Sequence, residues 1–421
     1  LLPVMPVRAD DPARRAVERA ARASYGRLVA FLSTRTRDVA GAEDALAEAF
    51  ATALQQWPAD GVPANPDAWL LTVARRRGAD ALRRRRTSAV HAPHLMLIAD
   101  EIEAAAASLG DIPDRRLALM FACAHPAIEP GIRTPLILQT ILGLTAAAIA
   151  SAFLMPPATM GQRLVRAKAR LREAGIAFAI PDKEELPGRL DAVLEAVYAA
   201  YAKGWAETGE PGTPQLADEA IWLGRVLVAL LPEQPEAKGM LALMLQAEAR
   251  RPARRDTGGA YVPLDAQDTR LWDIARVREA EMLLAEANAG GPSGRYQIEA
   301  AIQSAHAARR LHGVASWGAI VALYDLLFAL APSPVVALNR AVARAELDGP
   351  AAALEEIDRL AGDPRMADYQ PYWAARGHLC ARAGRCGDAK AALTLAIGLA
   401  ADPAVRLYLQ GQRDRLCNGG T

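Results

Sequence analysis

The chain has 421 residues, too long for one ordinary hydrophobic core, so two or three domains are expected. Alanine is its commonest residue and aromatics contribute only 5%, which favours helices and argues against sandwiches, barrels and doubly wound sheets. Forty-nine basic and 48 acidic side chains give a formal charge of +1, a balance that by itself suggests no polyanionic partner.

Dividing the chain changes that reading. Residues 1–180 carry 23 basic and 17 acidic side chains, a net +6, whereas 181–421 carry 26 and 31, a net −5. The basic excess is concentrated in Arg75 to Arg86, with seven arginines against Asp80, and in Arg163 to Arg172, with five basic residues and no acid. Such asymmetry predicts an N-terminal part that meets a polyanion and a remainder that does not. Cysteines 123, 380, 386 and 417 form no C-x-x-C pair and are too few for a disulfide framework, so a reducing cytoplasm is the simplest compartment. Leu1 to Asp11, broken by Pro3 and Pro6, lacks the apolar run of a signal peptide.

In chain order, Glu43 to Trp57 is a helix whose apolar stripe is Leu46, Phe50, Ala53 and Trp57. Asp44 and Glu48 lie one turn apart on its opposite side. Trp57 to Pro66 contains three prolines and a glycine and is expected to be a loop. A second helix, about Asp67 to Arg86, puts Arg76 and Arg83, and likewise Arg77 and Arg84, on shared faces. Residues 89–113 have the mixed character of a linker, and Asp114 to Cys123 resumes helix.

Thr134 to Gln162 contains no charged residue and is long enough for a membrane helix. Gln139, Thr140, Thr145 and Ser151 punctuate it, and soluble helices explain it better: Gly143 ends one, Thr145 caps the next, and Pro157 begins a third. That third helix has an apolar stripe of Met160, Leu164, Ala167 and Leu171, with Arg163, Arg166 and Arg170 off it. Helix, short turn, basic amphipathic helix is the DNA-reading helix-turn-helix pattern.

From Pro181 on, helical segments alternate with Gly/Pro/Asp loops, and Arg251 to Asp268 is the least regular stretch. Trp373, Gly377, Cys380, Ala389, Leu393 and Ala396 have the small/large spacing of a tetratricopeptide helix pair closed by Asp402-Pro403. A weaker copy, Ala341, Ala353, Ile357 and Leu360, is closed by Asp363-Pro364. The sequence contains no phosphate-binding loop or nucleophile elbow, and its histidines and cysteines lack metal-ligand spacing, so no enzyme activity, cofactor or metal is expected.

Three stretches, in order, resemble an extracytoplasmic-function (ECF) sigma factor of bacterial RNA polymerase. Gly41-Ala42-Glu43-Asp44-Ala45-Leu46-Ala47-Glu48-Ala49-Phe50 resembles the acidic helix of region 2, with Ala47-Glu48 where the family has Gln-Glu. Asn65-Pro66-Asp67-Ala68-Trp69-Leu70, through Ala74-Arg75-Arg76-Arg77 to Asp80 and Leu82-Arg83-Arg84, resembles its continuation, with Arg76 at a usual Asn. Gly143-Leu144-Thr145, through Ile149-Ala150 to Thr159, Arg163-Leu164 and Arg166-Ala167, resembles the region 4 helix-turn-helix; Ala147-Ala148 replace an acidic pair and leave the capping box incomplete. The whole chain resembles the subgroup with a long C-terminal tetratricopeptide-like (TPR-like) extension, most distinctively in Leu330 to Val336, Asn339 to Val342 and Asp348-Gly349-Pro350.

The resemblance implies an all-α protein: a region 2 domain over 10–88, a linker over 89–113, a region 4 domain over 114–176, and a helical extension over 181–421 with repeats clearest at 335–403. It implies that Asp44 and Glu48 meet core RNA polymerase at the β′ coiled coil, with region 4 expected at the β flap. Arg75, Arg76, Arg77, Arg83 and Arg84 would hold the minus-ten promoter DNA, and the loop Ala59 to Ala64 would accept a flipped base. At the minus-thirty-five element, Gln162, Val165 and Arg166 would face base edges while Arg163 and Lys168 face phosphates. The extension would regulate or support this activity without a membrane partner. The rival from another class is a helix-turn-helix regulator with a TPR-like sensor that acts without polymerase. That rival predicts palindromic operators instead of an asymmetric two-element promoter.

Overall fold

The structure, a computed structural model, describes residues 12–86, 115–153, 155–182, 184–206, 216–289, 293–308, 313 and 316–418. Among these residues the architecture is all-α: no strand forms, and Arg255 and Tyr261 make an isolated antiparallel bridge. The expected linker at 89–113 lies outside the described residues. The chain divides into two compact units, Leu1–Glu219 and Ala220–Thr421.

In the first unit, α1 (Pro12–Thr36), α2 (Val39–Asp60) and α3 (Pro66–Arg86) form a three-helix bundle. Asp38 caps α2, accepting the Gly41 N–H at 3.0 Å, and Asn65 caps α3 through the Ala68 N–H at 3.1 Å. Leu46, Ala53 and Trp57 are buried as their spacing requires, and Trp57 meets Trp69 edge-on at 5.5 Å between ring centroids. The loop after α2 is shorter than the prolines suggest. The helix continues through Pro58 to Asp60, and Gly61 (φ 85°) ends it with its N–H on the Trp57 carbonyl at 3.0 Å. Asp67 then fastens α3 to α1, accepting from Ser24 at 2.8 Å and Arg27 at 2.5 Å.

The second half of this unit comprises α4 (Arg116–Cys123), α5 (Pro130–Leu142), α6 (Ala146–Ala152), α7 (Pro157–Glu173) and α8 (Pro187–Ala206). The uncharged stretch is therefore shared among α5, α6 and the start of α7, and no described helix is long and apolar enough to cross a membrane. Gly143 terminates α5 in the left-handed conformation (φ 63°), and Thr145 starts α6 by accepting the Ala148 N–H at 3.2 Å.

The sequence-based border near 181 falls inside this unit, because α8 packs on α4 and α5. Its Val193, Leu194 and Val197 are buried, and the Thr134 hydroxyl donates to Glu195 at 2.6 Å. Arg116, itself buried, pairs with Glu219 at the start of α9 (Leu216–Leu230).

The second unit continues with α10 (Pro235–Ala249), α11 (Ile274–Asn288), α12 (Arg295–Ala307), α13 (Trp317–Leu330), α14 (Pro334–Asp348) and α15 (Pro350–Leu360). A short α16 (Pro364–Ala367) precedes α17 (Gln370–Arg382), α18 (Cys386–Leu399) and α19 (Pro403–Asn418). The irregular segment 251–271 folds into short 3-10 turns. Helices pair in sequence, α14 with α15 and α17 with α18. Of the small and large positions picked out by spacing, Ala341, Ala353, Ile357, Gly377, Cys380, Ala389, Leu393 and Ala396 are buried in these pairs, whereas Leu360 and Trp373 are half-buried at their margin. Asp363 and Asp402 cap the helices that follow, each accepting a backbone N–H two residues on at 2.9 Å.

Candidate nucleic-acid and polymerase interface

The apolar stripe of α2 faces the bundle, which leaves Asp44 and Glu48 exposed on the other side. The neighbouring α3 buries Leu70, Leu71 and Ala74, and this turns Arg76 and Arg77 outward. Arg77 stands 3.6 Å from Glu48, both half-exposed, so a candidate DNA contact and a candidate polymerase contact share an edge of the bundle. Arg75 is part-buried. Arg83 and Arg84 lie on the last turns of α3, and their side chains fall outside the described residues.

In α7 the stripe Met160, Leu164, Ala167 and Leu171 is buried, as expected. The five predicted site residues of this helix separate into two groups. Gln162, Val165 (69% exposed) and Arg166 lie along one open line, available to base edges. Arg163, by contrast, is 19% exposed and bonds Glu129 at 2.7 Å. Lys168 is 12% exposed and paired with Glu43 of α2, itself 14% exposed. One residue that the sequence reading left outside the site joins the open line: Arg170, exposed, is one turn beyond Arg166. Its spacing of four from Arg166 was the available signal.

The electrostatics of the seam between α2 and α7 follow from its burial. Desolvation holds the Glu43 carboxyl above the usual carboxylate range, with Lys168 pulling against it and Asp44 adding to it. The same burial, with Glu43 and Asp44 nearby, raises the Tyr25 phenol. Arg172 of α7 lies 3.9 Å from Asp38, which extends the seam to the first turn of α2. Behind it, complete burial pushes the Cys123 thiol up to about 12, and its sulfur rests 3.7 Å from the Thr140 hydroxyl. Among the described residues no group of three or more His, Cys, Asp or Glu is placed to hold a metal ion.

The first unit thus combines a three-helix bundle that exposes an acidic face on α2 and arginines on α3 with a basic helix, α7, whose open line carries Gln162, Val165, Arg166 and Arg170. Residues 21–87, the bundle, match the family Sigma-70 region 2. Residues 189–288 match a family of unknown function, DUF6596. The chain is also 39% identical over 381 residues to a protein of Rhizobium meliloti (strain 1021) described as "Uncharacterized protein R00370", covering 89% of this chain and 90% of that one. The chain belongs to that protein's family and carries a sigma-70 region 2. No solved structure matches it. The region 2 match coincides with α1 to α3, so Asp44, Glu48 and Arg75 to Arg84 all fall within it, whereas the α7 residues lie outside both matched segments.

Proposed function

We propose that the chain is an ECF-type sigma factor, which binds core RNA polymerase in the cytoplasm and confers promoter specificity without catalysing a reaction itself. The observation that carries this reading is the sigma-70 region 2 match over a bundle that exposes both an acidic face and an arginine face. Asp44 and Glu48 would meet a basic polymerase element, the β′ coiled coil, where complementary charge favours encounter and orientation more than raw affinity. Arg75, Arg76, Arg77, Arg83 and Arg84 would hold phosphates at the minus-ten element, and the loop 61–65 would take an unstacked base. The α7 helix would enter the major groove at the minus-thirty-five element, with Gln162, Val165, Arg166 and Arg170 toward the DNA and Arg163 at its margin.

Residues 220–421 form helix pairs that support a TPR-like module, and their 23 basic and 22 acidic side chains leave no basic excess to draw DNA. A role in regulating or supporting the sigma unit fits both features. The test is co-migration of the full chain with core polymerase in gel filtration. Wild type should co-migrate, and Asp44→Lys/Glu48→Lys should not. A chain that stays free of polymerase and instead binds a palindromic duplex would establish the regulator reading.

A further inference from the structure

Four contacts close the first unit across its two halves. The Tyr25 ring covers the Gly143 turn, and Gly26 of α1 lies directly against the Ile141 backbone of α5. The Lys168–Glu43 pair and the looser Arg172–Asp38 pair then join α7 to α2. Lys168 and Glu43 are 125 residues apart in sequence, and each is almost withdrawn from water. A cation held this way is poorly placed to meet a phosphate, in contrast to Arg166 and Arg170 on the open line of the same helix.

The closed unit is also too small for its proposed task. A compact body of about 200 residues is only about 45 Å across. Two DNA elements centred about 25 base pairs apart are separated by about 85 Å along the duplex. The bundle carrying α3 and the helix α7 cannot occupy both elements while α7 remains joined to α2.

We infer that Lys168 is a latch residue and not a DNA contact: its pairing with Glu43 ties the candidate DNA-reading helix to the acidic helix that docks on polymerase, and the tie is released when polymerase binds. The inference rests on the sigma reading for the release step. The contact itself stands on the geometry of the first unit. Because Glu43 is on the same helix as Asp44 and Glu48, a basic polymerase surface arriving at α2 would compete with Lys168 for its carboxylate. Removing one partner of such a pair strands the other charge without compensation, whereas replacing both with neutral groups does not.

The test is a distance measurement by double electron–electron resonance on the full chain with Cys386→Ser and Cys417→Ser, spin-labelled at Gln55→Cys on α2 and Glu173→Cys on α7. Wild type should give one short, narrow distance. Lys168→Met should raise the long-distance fraction about tenfold, and Lys168→Met/Glu43→Gln should restore the short distance. Adding core polymerase to the otherwise wild-type labelled chain should lengthen the distance without any latch substitution, which keeps the proposal testable if Lys168→Met folds poorly. The latch is overturned if Lys168→Met leaves the distance unchanged, or if the distance stays short on polymerase. It is equally overturned if the double variant fails to close while promoter binding by the Lys168→Met holoenzyme loses about one unit of salt slope, the signature of a lost phosphate contact. A chain that opens with Lys168→Met and closes with the double variant but never binds polymerase would retain the latch and defeat the sigma reading.

Discussion

Gly26→Ala distinguishes a closed first unit from an open one by the sign of its effect. A Cβ built at Gly26 lies 1.9 Å from the Ile141 carbonyl oxygen and 2.9 Å from its carbon, where real Cβ contacts stay beyond 3.0 Å. Both contacting atoms are backbone, so no flexible side chain can swing aside, and α1 and α5 must separate by about 1 Å against close-packed surroundings. Overpacking of this kind costs about 1–3 kcal/mol, and the rigid partner places this site at the upper end. Alanine in place of a helical glycine gains about 1 kcal/mol in the opposite direction. The balance is a loss of about 2 kcal/mol for the first unit. The assay is urea unfolding of the full chain, with hydrogen–deuterium exchange reporting separately on peptides from α1 and α5. Gly411→Ala in α19, where an added Cβ meets nothing within 4 Å, serves as the control and should be neutral or slightly stabilising. If Gly26→Ala matches that control and exchange in α1 and α5 is unchanged, the two helices are not in contact and the closed unit is wrong.

Three further outcomes are expected. Arg166→Ala should reduce discrimination among minus-thirty-five variants by about 1–3 kcal/mol while leaving polymerase binding intact, as run-off assays and gel filtration would show; a joint fall would make α7 structural. Because burial raises the Glu43 carboxyl against the opposing pull of Lys168, the folded state holds that proton more tightly than the unfolded chain does. Ionisation therefore costs stability: relative to Glu43→Gln, wild type should lose stability as pH rises from the unfolded carboxyl range, about 4.3, through the higher folded value. A pH series of urea unfolding for the two proteins measures this, and an advantage for wild type that grows with pH would reverse the sign. Leu393→Ala, in the buried seam of α17 and α18, should destabilise the second unit by about 2–4 kcal/mol, with faster exchange there and none in α1 to α3.

Much of this architecture was legible because it depends on local periodicity. The stripe Leu46, Phe50, Ala53 and Trp57 and the stripe Met160, Leu164, Ala167 and Leu171 each define an inward face at helical spacing, and all of these side chains are buried except Phe50, which is half-buried. Gly143 and Thr145 mark a turn through their own backbone chemistry, and the spacing of Ala341, Gly377 and Leu393 marks tight helix pairs. What escaped the sequence depends on distant partners. A basic residue in a charge run reads the same whether it faces water or a carboxylate, so Arg166, Arg163 and Lys168 could be sorted only once Glu129 and Glu43 were located beside the latter two. The same limit hid the allegiance of α8, whose apolar face suits either unit until Thr134 is found against Glu195. Pro58 misled because a proline in the final turn of a helix, with Gly61 to end it, need not break what precedes it.

The central claim is that this chain gives core RNA polymerase a promoter. Run-off transcription with purified bacterial core, the full chain and a library of duplexes varied at two separated elements tests it most directly. Transcripts should require the chain and select an asymmetric pair of elements, one lost with Arg166→Ala and the other with Arg76→Ala/Arg77→Ala. Core polymerase that gains no promoter-directed transcript from the chain on any member of the library would contradict the account.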